Sequence, residues 1–239
     1  MSREQGDVSA VPPVEAARLS ATAGQASPIP LIIIGCGGHG RVVWDIAETT
    51  GRFDVIAILD DAYSALEWQN EGVWHGPIAY ASELLNSRAA GQIIIAIGTN
   101  ATRRDIADRL GLPVDRYAQV IHPGAHISRL SSIAPGTVIM PGAVVNAGAQ
   151  IGAHAIVNSG AVVEHDAIIG AYAHLSPQAA VAGSVSVGEG THLGIGSCTI
   201  PSVMIGAWSV LGAGATAVRN IPSYVVAAGV PAKVQRTLD

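Results

Sequence analysis

One histidine of this 239-residue chain lies directly between two acidic residues, in the run Val163-Glu164-His165-Asp166. A carboxylate bonded to one ring nitrogen orients an imidazole and makes the other nitrogen a stronger base. An amine or hydroxyl needs such a base when it attacks a thioester carbonyl. His165 is therefore a candidate general base. The alternative is that it is a solvated polar residue on an outward face.

A second candidate site is a glycine-rich turn near the start of the chain. The apolar run at residues 31–34 ends at Gly35, and the glycines Gly35, Gly37 and Gly40 match a G-x-G-x-x-G pattern ahead of an apolar helical spacing from Arg41. Backbone amides at such a turn bind phosphates. His39 lies inside the turn, so its side chain would project toward the bound group. The alternative is a tight strand-to-helix turn without a ligand.

The surrounding elements indicate a small α/β domain. Apolar strands are predicted at residues 54–59 and 93–97, and Gly98-Thr99-Asn100 is expected to cap a helix that ends near Leu110. Residues 62–76 are predicted to be a loop, and Ser82 to cap a short helix. Strands alternating with helices imply a parallel sheet.

The acid that follows the second strand points to a nucleotide. Asp60 and Asp61 come about 20 residues after the turn, where such folds bind a ribose hydroxyl. Three strands make an incomplete dinucleotide fold, which favours a single nucleoside diphosphate over NAD.

From Ile127 to Leu211 an aliphatic residue returns every sixth position, with Thr199 as the exception. Hexads of this kind predict a β-helical solenoid in which three units close a coil of about 18 residues. Small side chains four residues after each aliphatic allow close stacking. Glycines usually in the second place are expected to form corners with unusual backbone angles; they include Gly152, Gly170, Gly188, Gly206 and Gly212.

Counting about 18 residues per coil places the histidines of the solenoid. His174 and His192 take the same place in successive coils, and His154 lies on the same side. His165 lies on another face, so two solenoids side by side could bring it to His174. The alternative for His154, His174 and His192 is a packing or interface role.

Composition limits the function classes. The net charge of −5 gives no basic footprint for nucleic acid, and no apolar run is long enough to span a membrane. The start lacks a signal-peptide pattern, and the two cysteines, Cys36 and Cys198, are compatible with a reducing cytoplasm. We divide the chain into a flexible tail (1–29), a Rossmann-like nucleotide-binding domain (30–112) and a β-helical domain with a closing segment (113–239).

The combination of motifs resembles the PglD-like and NeuD-like sugar acetyltransferases. The resemblance rests on Gly-Gly-His-Gly after the first strand, Asp60-Asp61 after the second, Ile97-Gly98-Thr99-Asn100 after the third, Val163-Glu164-His165-Asp166, and the closing Gly229-Val230-Pro231-Ala232-Lys233. It implies a left-handed parallel β-helix, a homotrimer, acetyl-CoA held between neighbouring solenoids, and a nucleotide sugar held by the N-terminal domain. No metal is expected.

The resemblance also implies roles for individual residues. His165 would be the general base and Asp166, where many relatives have Glu, its carboxylate partner. The acetyl-CoA site would include His174, Gly183, Ile195 and Ala213. Gly38, His39 and Gly40 would contact the phosphates of the nucleotide sugar, and its nucleoside side would contact Asp60, Asp61 and Gly98.

The expected function is acetyl transfer from acetyl-CoA to the 4-amino group of a nucleotide-linked 4-amino-4,6-dideoxy sugar, with UDP favoured and GDP or dTDP possible, for a bacterial surface glycan. Three alternatives remain. The first is a sialic acid or other sugar O-acetyltransferase. The second is a carbonic-anhydrase-type metal hydratase using His154, His174 and His192. The third is a nucleotide-binding scaffold without chemistry.

Overall fold

The structure is a computed structural model that describes residues 27–69, 72–87 and 91–238. Most of the expected N-terminal tail therefore lies outside the described residues. Within the described ranges no helix is long and apolar enough to cross a membrane.

The N-terminal domain is built on one sheet. Its strands are β1 (Ile29–Ile34), β2 (Phe53–Leu59), β3 (Glu67–Trp68), β4 (Trp74–Gly76) and β5 (Gln92–Ile95), in the order β3-β4-β2-β1-β5. Four of the strands run parallel, and β3 is antiparallel to β4. The central strands are buried on both faces, as expected for a parallel sheet covered by helices.

The predicted loop at residues 62–76 is wrong in its second half, because β3 and β4 form a hairpin that extends the sheet. Trp68 lies opposite Trp74 in the pairing, and their rings meet edge to face with centroids 5.1 Å apart. Cross-strand aromatic pairs of this kind stabilise short strands. The sheet therefore has more strands than the three that the apolar runs predicted.

Three α-helices accompany the sheet in the described ranges: α1 (Gly38–Thr50), α2 (Ala81–Asn86) and α3 (Asn100–Leu110). Helices α1 and α3 end at Gly51 and Gly111, which adopt the left-handed conformation that favours glycine. The predicted Ser82 cap is wrong, since α2 already begins at Ala81 and its first turn has no side-chain cap.

The rest of the chain is a solenoid with three parallel sheets, and the 18-residue coil is confirmed because paired strands are 18 residues apart. The first sheet contains β6 (Val120–Ile121), β9 (Val138–Ile139), β12 (Ile156–Val157), β15 (His174–Leu175), β18 (His192–Leu193), β21 (Val210–Leu211), β23 (Val225–Ala228) and β24 (Lys233–Thr237). The last of these is antiparallel and closes the end.

The other two sheets have the same two-residue strands. The second sheet contains β7 (His126–Ile127), β10 (Val144–Val145), β13 (Val162–Val163), β16 (Ala180–Val181), β19 (Cys198–Thr199) and β22 (Thr216–Ala217). The third contains β8 (Ser132–Ile133), β11 (Gln150–Ile151), β14 (Ile168–Ile169), β17 (Ser186–Val187) and β20 (Met204–Ile205). Because β6 pairs with β9, the solenoid begins one strand earlier than the aliphatic register indicated.

The hexad aliphatics fill the interior, and the interruption at Thr199 is accommodated by a hydrogen bond. Its side chain is 9% exposed, and its hydroxyl oxygen accepts from the backbone N–H of Ala182 at 3.0 Å. The buried polar group is thereby satisfied, as interior groups must be.

The role predicted for the second-place glycines is wrong. From Ile133 to Leu211 the corners with positive φ occur in the fourth place of each hexad, at residues that include Gly136, His154, Asp166 and Tyr172. The second-place glycines are required by close approach instead: a Cβ on Gly170 would lie 2.5 Å from the backbone nitrogen of Glu189 in the next coil. Glycine is thus needed there for space and not for backbone angle.

Candidate functional site

His165 and Asp166 form a hydrogen-bonded pair at the corner between the second and third sheets. Nδ1 of His165 lies 2.9 Å from Oδ2 of Asp166, and both side chains are largely exposed. Asp166 has φ +59°, and its backbone N–H donates to the carbonyl of Ala147 in the preceding coil. This conformation directs the carboxylate back along the corner toward the imidazole. If Nδ1 carries the proton, Nε2 is left as the free base.

Glycines above and below leave room for this pair. A Cβ on Gly183, one coil beyond, would lie 2.6 Å from Nε2 of His165. A Cβ on Gly148, one coil before, would collide with the carboxylate of Asp166. The predicted residues His165, Asp166 and Gly183 are therefore brought together, and the two glycines leave the space that the imidazole and the carboxylate occupy.

His174 and His192 stack on the outer side of the first sheet, with ring centroids 4.9 Å apart and planes 3° from parallel. Nε2 of His174 contacts the amide nitrogen of Asn158 at 3.1 Å, and Nε2 of His192 contacts the hydroxyl of Ser176 at 2.7 Å. Sequence reasoning missed Asn158 and Ser176. The sequence did contain a signal for them, because they are 18 residues apart and so occupy the same place in successive coils.

His174 also joins the two domains. Its Nδ1 lies 3.3 Å from the carbonyl oxygen of Gly98, which follows β5 at the carboxyl edge of the N-terminal sheet. Burial lowers the pKa of His174 to about 3, with further contributions from the nearby charges of His192, Arg103 and His39. The imidazole is neutral at physiological pH and acts as a hydrogen-bonding group there, since a cation would be poorly solvated.

The glycine turn leads directly into α1. A Cβ on Gly40 would overlap the carbonyl oxygen of Gly35 and lie 2.9 Å from its carbon, whereas a Cβ on Gly38 would meet nothing within 4 Å. Gly40 therefore lets the helix approach the strand, and Gly38 leaves the helix start open. Exposed N–H groups at a helix start favour an anion.

His39 completes the turn. Its Nε2 is buried and has no hydrogen-bond partner among the described residues. Burial lowers the pKa of His39 to about 4, and Arg103 adds to the effect. The imidazole is thus held neutral beside the turn.

The two aspartates after β2 differ in environment. Asp60 accepts hydrogen bonds from the backbone N–H groups of Cys36 and Ala62, both at 2.9 Å, and thereby fixes the glycine turn. The pKa of Asp60 is lowered by these bonds, although burial acts in the opposite direction. Asp61 is exposed and pairs with Arg109 at 2.9 Å. Asp61 is therefore the more accessible of the two carboxylates.

Ile195 and Ala213 lie at a different corner, between the first and second sheets. Both are exposed, and they are followed by Gly196 and Gly214, which have positive φ and no atom within 4 Å of a Cβ position. This corner is open, so it leaves room for an extended ligand along it. A single chain does not bring it to His165, because that residue occupies the next corner.

The histidines proposed for a metal hydratase do not converge. The ring of His154 stacks on Tyr172 with centroids 5.0 Å apart, whereas His174 and His192 use their Nε2 atoms for the bonds described above. Within the described ranges no group of three or more histidines, cysteines or acids is arranged to hold a metal ion.

We expect the buried histidines to make the fold acid-sensitive. Burial lowers the pKa of His39 and His154 to about 4 and that of His174 to about 3, from 6.5. Well above pH 6.5 all three are neutral in both states, whereas between pH 6.5 and about pH 4 it is mainly the unfolded chain that takes up protons. The free energy of unfolding should fall by up to about 4 kcal/mol per pH unit near pH 5.

Urea unfolding between pH 7.5 and 4.5 measures this dependence. His174→Asn should reduce the slope, because one titrating group is removed. A free energy of unfolding that stays constant from pH 7 to pH 5 would contradict the assignment.

Comparisons with known proteins agree with the two-part architecture. Residues 30–110 match the family described as PglD N-terminal domain, and residues 130–165 match the bacterial transferase hexapeptide repeats. The UDP-N-acetylbacillosamine N-acetyltransferase of Bacillus subtilis (strain 168) is 45% identical over 107 residues, which is 44% of this chain and 49% of that protein. The match thus spans about half the length of this curated relative.

Solved structures match over a larger part of the chain. PerB from Caulobacter crescentus, in complex with CoA and GDP-perosamine, is 36% identical with a TM-score of 0.78, over 87% of this chain and 97% of that one. The acetyltransferase domain of PglB from Neisseria gonorrhoeae FA1090 is 35% identical with a TM-score of 0.76, over 86% and 98% of the two chains. The fold is therefore an N-terminal α/β domain joined to a left-handed parallel β-helix.

Proposed function

Because the chain belongs to the family of PglD-like sugar N-acetyltransferases, we propose that it transfers an acetyl group from acetyl-CoA to the amino group of a nucleotide-linked 4-amino-4,6-dideoxy sugar. The relatives support this class of substrate, since they include an enzyme of UDP-N-acetylbacillosamine and one in complex with GDP-perosamine. The product would serve the assembly of a bacterial surface glycan.

The observation that carries the proposal is the His165–Asp166 pair. The carboxylate accepts from Nδ1 at 2.9 Å, which leaves Nε2 free over Gly183. An imidazole oriented by a carboxylate is suited to deprotonating an amine.

We propose the following reaction for this pair. The sugar amine attacks the thioester carbonyl carbon, and Nε2 of His165 takes the proton that the nitrogen loses. Asp166 stabilises the resulting imidazolium. The tetrahedral intermediate collapses with cleavage of the carbon–sulfur bond, and His165 returns the proton to the departing thiolate. Backbone N–H groups stabilise the oxyanion.

The acceptor is held by the N-terminal domain in this proposal. The open start of α1 at Gly38, with His39 and Gly40, binds the diphosphate, and the nucleoside lies toward Asp60, Asp61 and Gly98. Support comes from the open space at Gly38 and from the exposed carboxylate of Asp61. The amino sugar then extends from the turn toward the domain boundary marked by His174.

The donor site is composite in this proposal, and the enzyme is a homotrimer. His165 and Gly183 occupy one corner of the solenoid, whereas Ile195 and Ala213 occupy another and His174 lies on the outer side of the first sheet. Two solenoids related by symmetry bring such corners together. Acetyl-CoA would lie in the groove between them, with the thioester between His165 of one chain and His174 of the next.

An acetyl-transfer assay tests the activity. Purified protein is incubated with acetyl-CoA and 4-amino-4,6-dideoxy sugars linked to UDP, GDP or dTDP, and both thiol release and product mass are followed. One nucleotide series should give an N-acetylated product and should also raise the melting temperature. Product only from free sugars such as sialic acid would reject the proposal in favour of O-acetylation.

Mixed assemblies test the composite site. We expect His165→Ala and His174→Ala chains to be poorly active alone, but co-expressed chains should regain activity, because random trimers contain about one site in four with both histidines intact. Light scattering checks the trimer mass. If both histidines act within one chain, mixing restores nothing, and that result would contradict the arrangement.

A further inference from the structure

One face of helix α3 lies along the corner of the solenoid where the third sheet turns into the first. The corner residues His154, Tyr172, Gly190 and Trp208 are each 18 residues apart, and all four have positive φ. Their backbone N–H groups bond to the preceding coil, whereas the carbonyls of the first three turn toward the N-terminal domain. The corner therefore presents a ladder of unpaired acceptors that the helix must satisfy.

Asn100 and Arg103, one turn apart on α3, donate to this ladder. The amide nitrogen of Asn100 donates to the carbonyl of Gly190 at 2.9 Å. Nε of Arg103 donates to the carbonyl of His154 at 2.7 Å, and Nη2 donates to that of Tyr172 at 2.7 Å. Adjacent coils are about 4.8 Å apart. The planar fork of a guanidinium reaches two acceptors at that spacing, whereas an ammonium group has a single nitrogen.

Arg103 is a buried cation without an acidic partner. Its side chain is 0% exposed, and no carboxylate within the described ranges lies at salt-bridge distance. Five oxygens receive its protons instead, four from backbone carbonyls and one from the side chain of Asn100. Burying an arginine in this way is costly unless every donor is used. A contact that served only to hold two domains together could be made by apolar side chains.

The third nitrogen of the Arg103 side chain reaches the loop that follows β5. Nη1 donates to the carbonyl of Ile97 at 2.8 Å and lies 3.4 Å from that of Gly98. The Gly98 carbonyl is also the group that contacts Nδ1 of His174. One guanidinium thus fixes three things at once: two coils of the solenoid, the loop at the carboxyl edge of the sheet, and through that loop the position of the imidazole.

We infer that Arg103 is a positioning residue that sets the nucleotide-sugar loop of the N-terminal domain at a fixed distance from the acetyl-transfer site of the solenoid. The inference rests on the proposed function. Arg103 touches neither substrate. It acts through the Ile97 and Gly98 carbonyls, so its loss displaces the acceptor sugar relative to the thioester while the CoA groove at Ile195 and Ala213 keeps its shape. A displacement of about 1 Å lowers catalysis up to a hundredfold.

Steady-state kinetics of Arg103→Lys and Arg103→Met test the inference. We expect kcat/KM for the nucleotide sugar to fall about tenfold in the first and about thirtyfold in the second, with KM for acetyl-CoA within about twofold of the wild type. Asn100→Ala, which removes the bond to Gly190 and one acceptor of the guanidinium, should show the same split more weakly. If Arg103→Met does not fold, Asn100→Ala still tests the inference.

Arg104→Ala is the matched control. Arg104 is the next residue of the same helix and also contacts the solenoid, because its guanidinium lies 4.3 Å from the ring centroid of Trp208, but it makes no bond to the loop. Its kinetic constants should stay within about twofold of the wild type. A purely structural role for Arg103 would lower the melting temperature and weaken the binding of both substrates, so a KM for acetyl-CoA that rises as much as the KM for the nucleotide sugar overturns the inference.

The wild type separates this inference from the proposed function. A wild-type protein that acetylates no nucleotide amino sugar rejects the function itself. An active wild type whose Arg103 variants keep their kcat/KM for the acceptor rejects only the positioning role.

Discussion

His165→Ala should lower kcat for acetyl transfer by about 10²–10⁴-fold and leave the dissociation constant for CoA nearly unchanged. The imidazole is an exposed side chain, so its removal costs the fold little. The amine would lose the group that takes its proton, whereas the donor groove at Ile195 and Ala213 would keep its surface. Single-turnover kinetics and isothermal titration with CoA measure the two quantities separately.

His126→Ala is the matched control, since His126 is another exposed histidine of the same solenoid, at the outer side of the second sheet. It should retain wild-type kcat. Asp166→Asn should give an intermediate loss, because Asn tolerates a positive φ but no longer stabilises an imidazolium. Turnover by His165→Ala at the wild-type rate would remove the basis of the mechanism.

Gly40→Ala should lower the free energy of unfolding of the N-terminal domain by roughly 3 kcal/mol. The added Cβ would overlap the carbonyl oxygen of Gly35, and a backbone atom cannot rotate away as a side chain can. The first turn of α1 would have to move off the sheet, and the phosphate site with it. Chemical denaturation and the thermal shift produced by the nucleotide sugar measure both effects.

Gly38→Ala separates the two effects. A Cβ there meets nothing within 4 Å, so the free energy of unfolding should change by less than about 1 kcal/mol. Its KM for the nucleotide sugar should nevertheless rise if the diphosphate approaches the helix start closely. Unfolding curves of Gly40→Ala that overlay those of the wild type would show that this glycine is not needed for helix–strand packing.

The solenoid could be predicted in detail because its signal is repeated. Each hexad places an aliphatic in the interior, so the register is specified many times, and a single exception such as Thr199 does not disturb it. The structural role of the glycines in the solenoid was harder to predict. A second-place glycine and a fourth-place glycine look alike in a sequence, yet one avoids a clash between coils and the other adopts a positive φ.

The hairpin of β3 and β4 was missed for a different reason. Its strands have two and three residues, too few for a periodic pattern, and their pairing depends on the contact between Trp68 and Trp74. Short strands of this kind form because a neighbouring strand is already present. Local sequence contains little of that information.

The candidate site could be predicted only where its residues are close in the sequence. His165 and Asp166 are adjacent, and the glycine turn is a contiguous motif. By contrast, Arg103 meets His154 and Tyr172 across 51 and 69 residues, which no local pattern reveals. An arginine on an amphipathic helix is ordinarily taken as a solvated residue.

The ladder of corner carbonyls limits how this architecture can lengthen during evolution. Duplication of one whole coil after Leu211 would carry the antiparallel end strand about 4.8 Å further along the axis and leave every bond to α3 in place. The same duplication between His154 and Gly190 would add a corner carbonyl opposite Asn100 or Arg103. It would also shift His174 relative to Gly98. Additional coils are therefore tolerated at the C-terminal end of the solenoid, whereas the number of coils beside α3 is fixed.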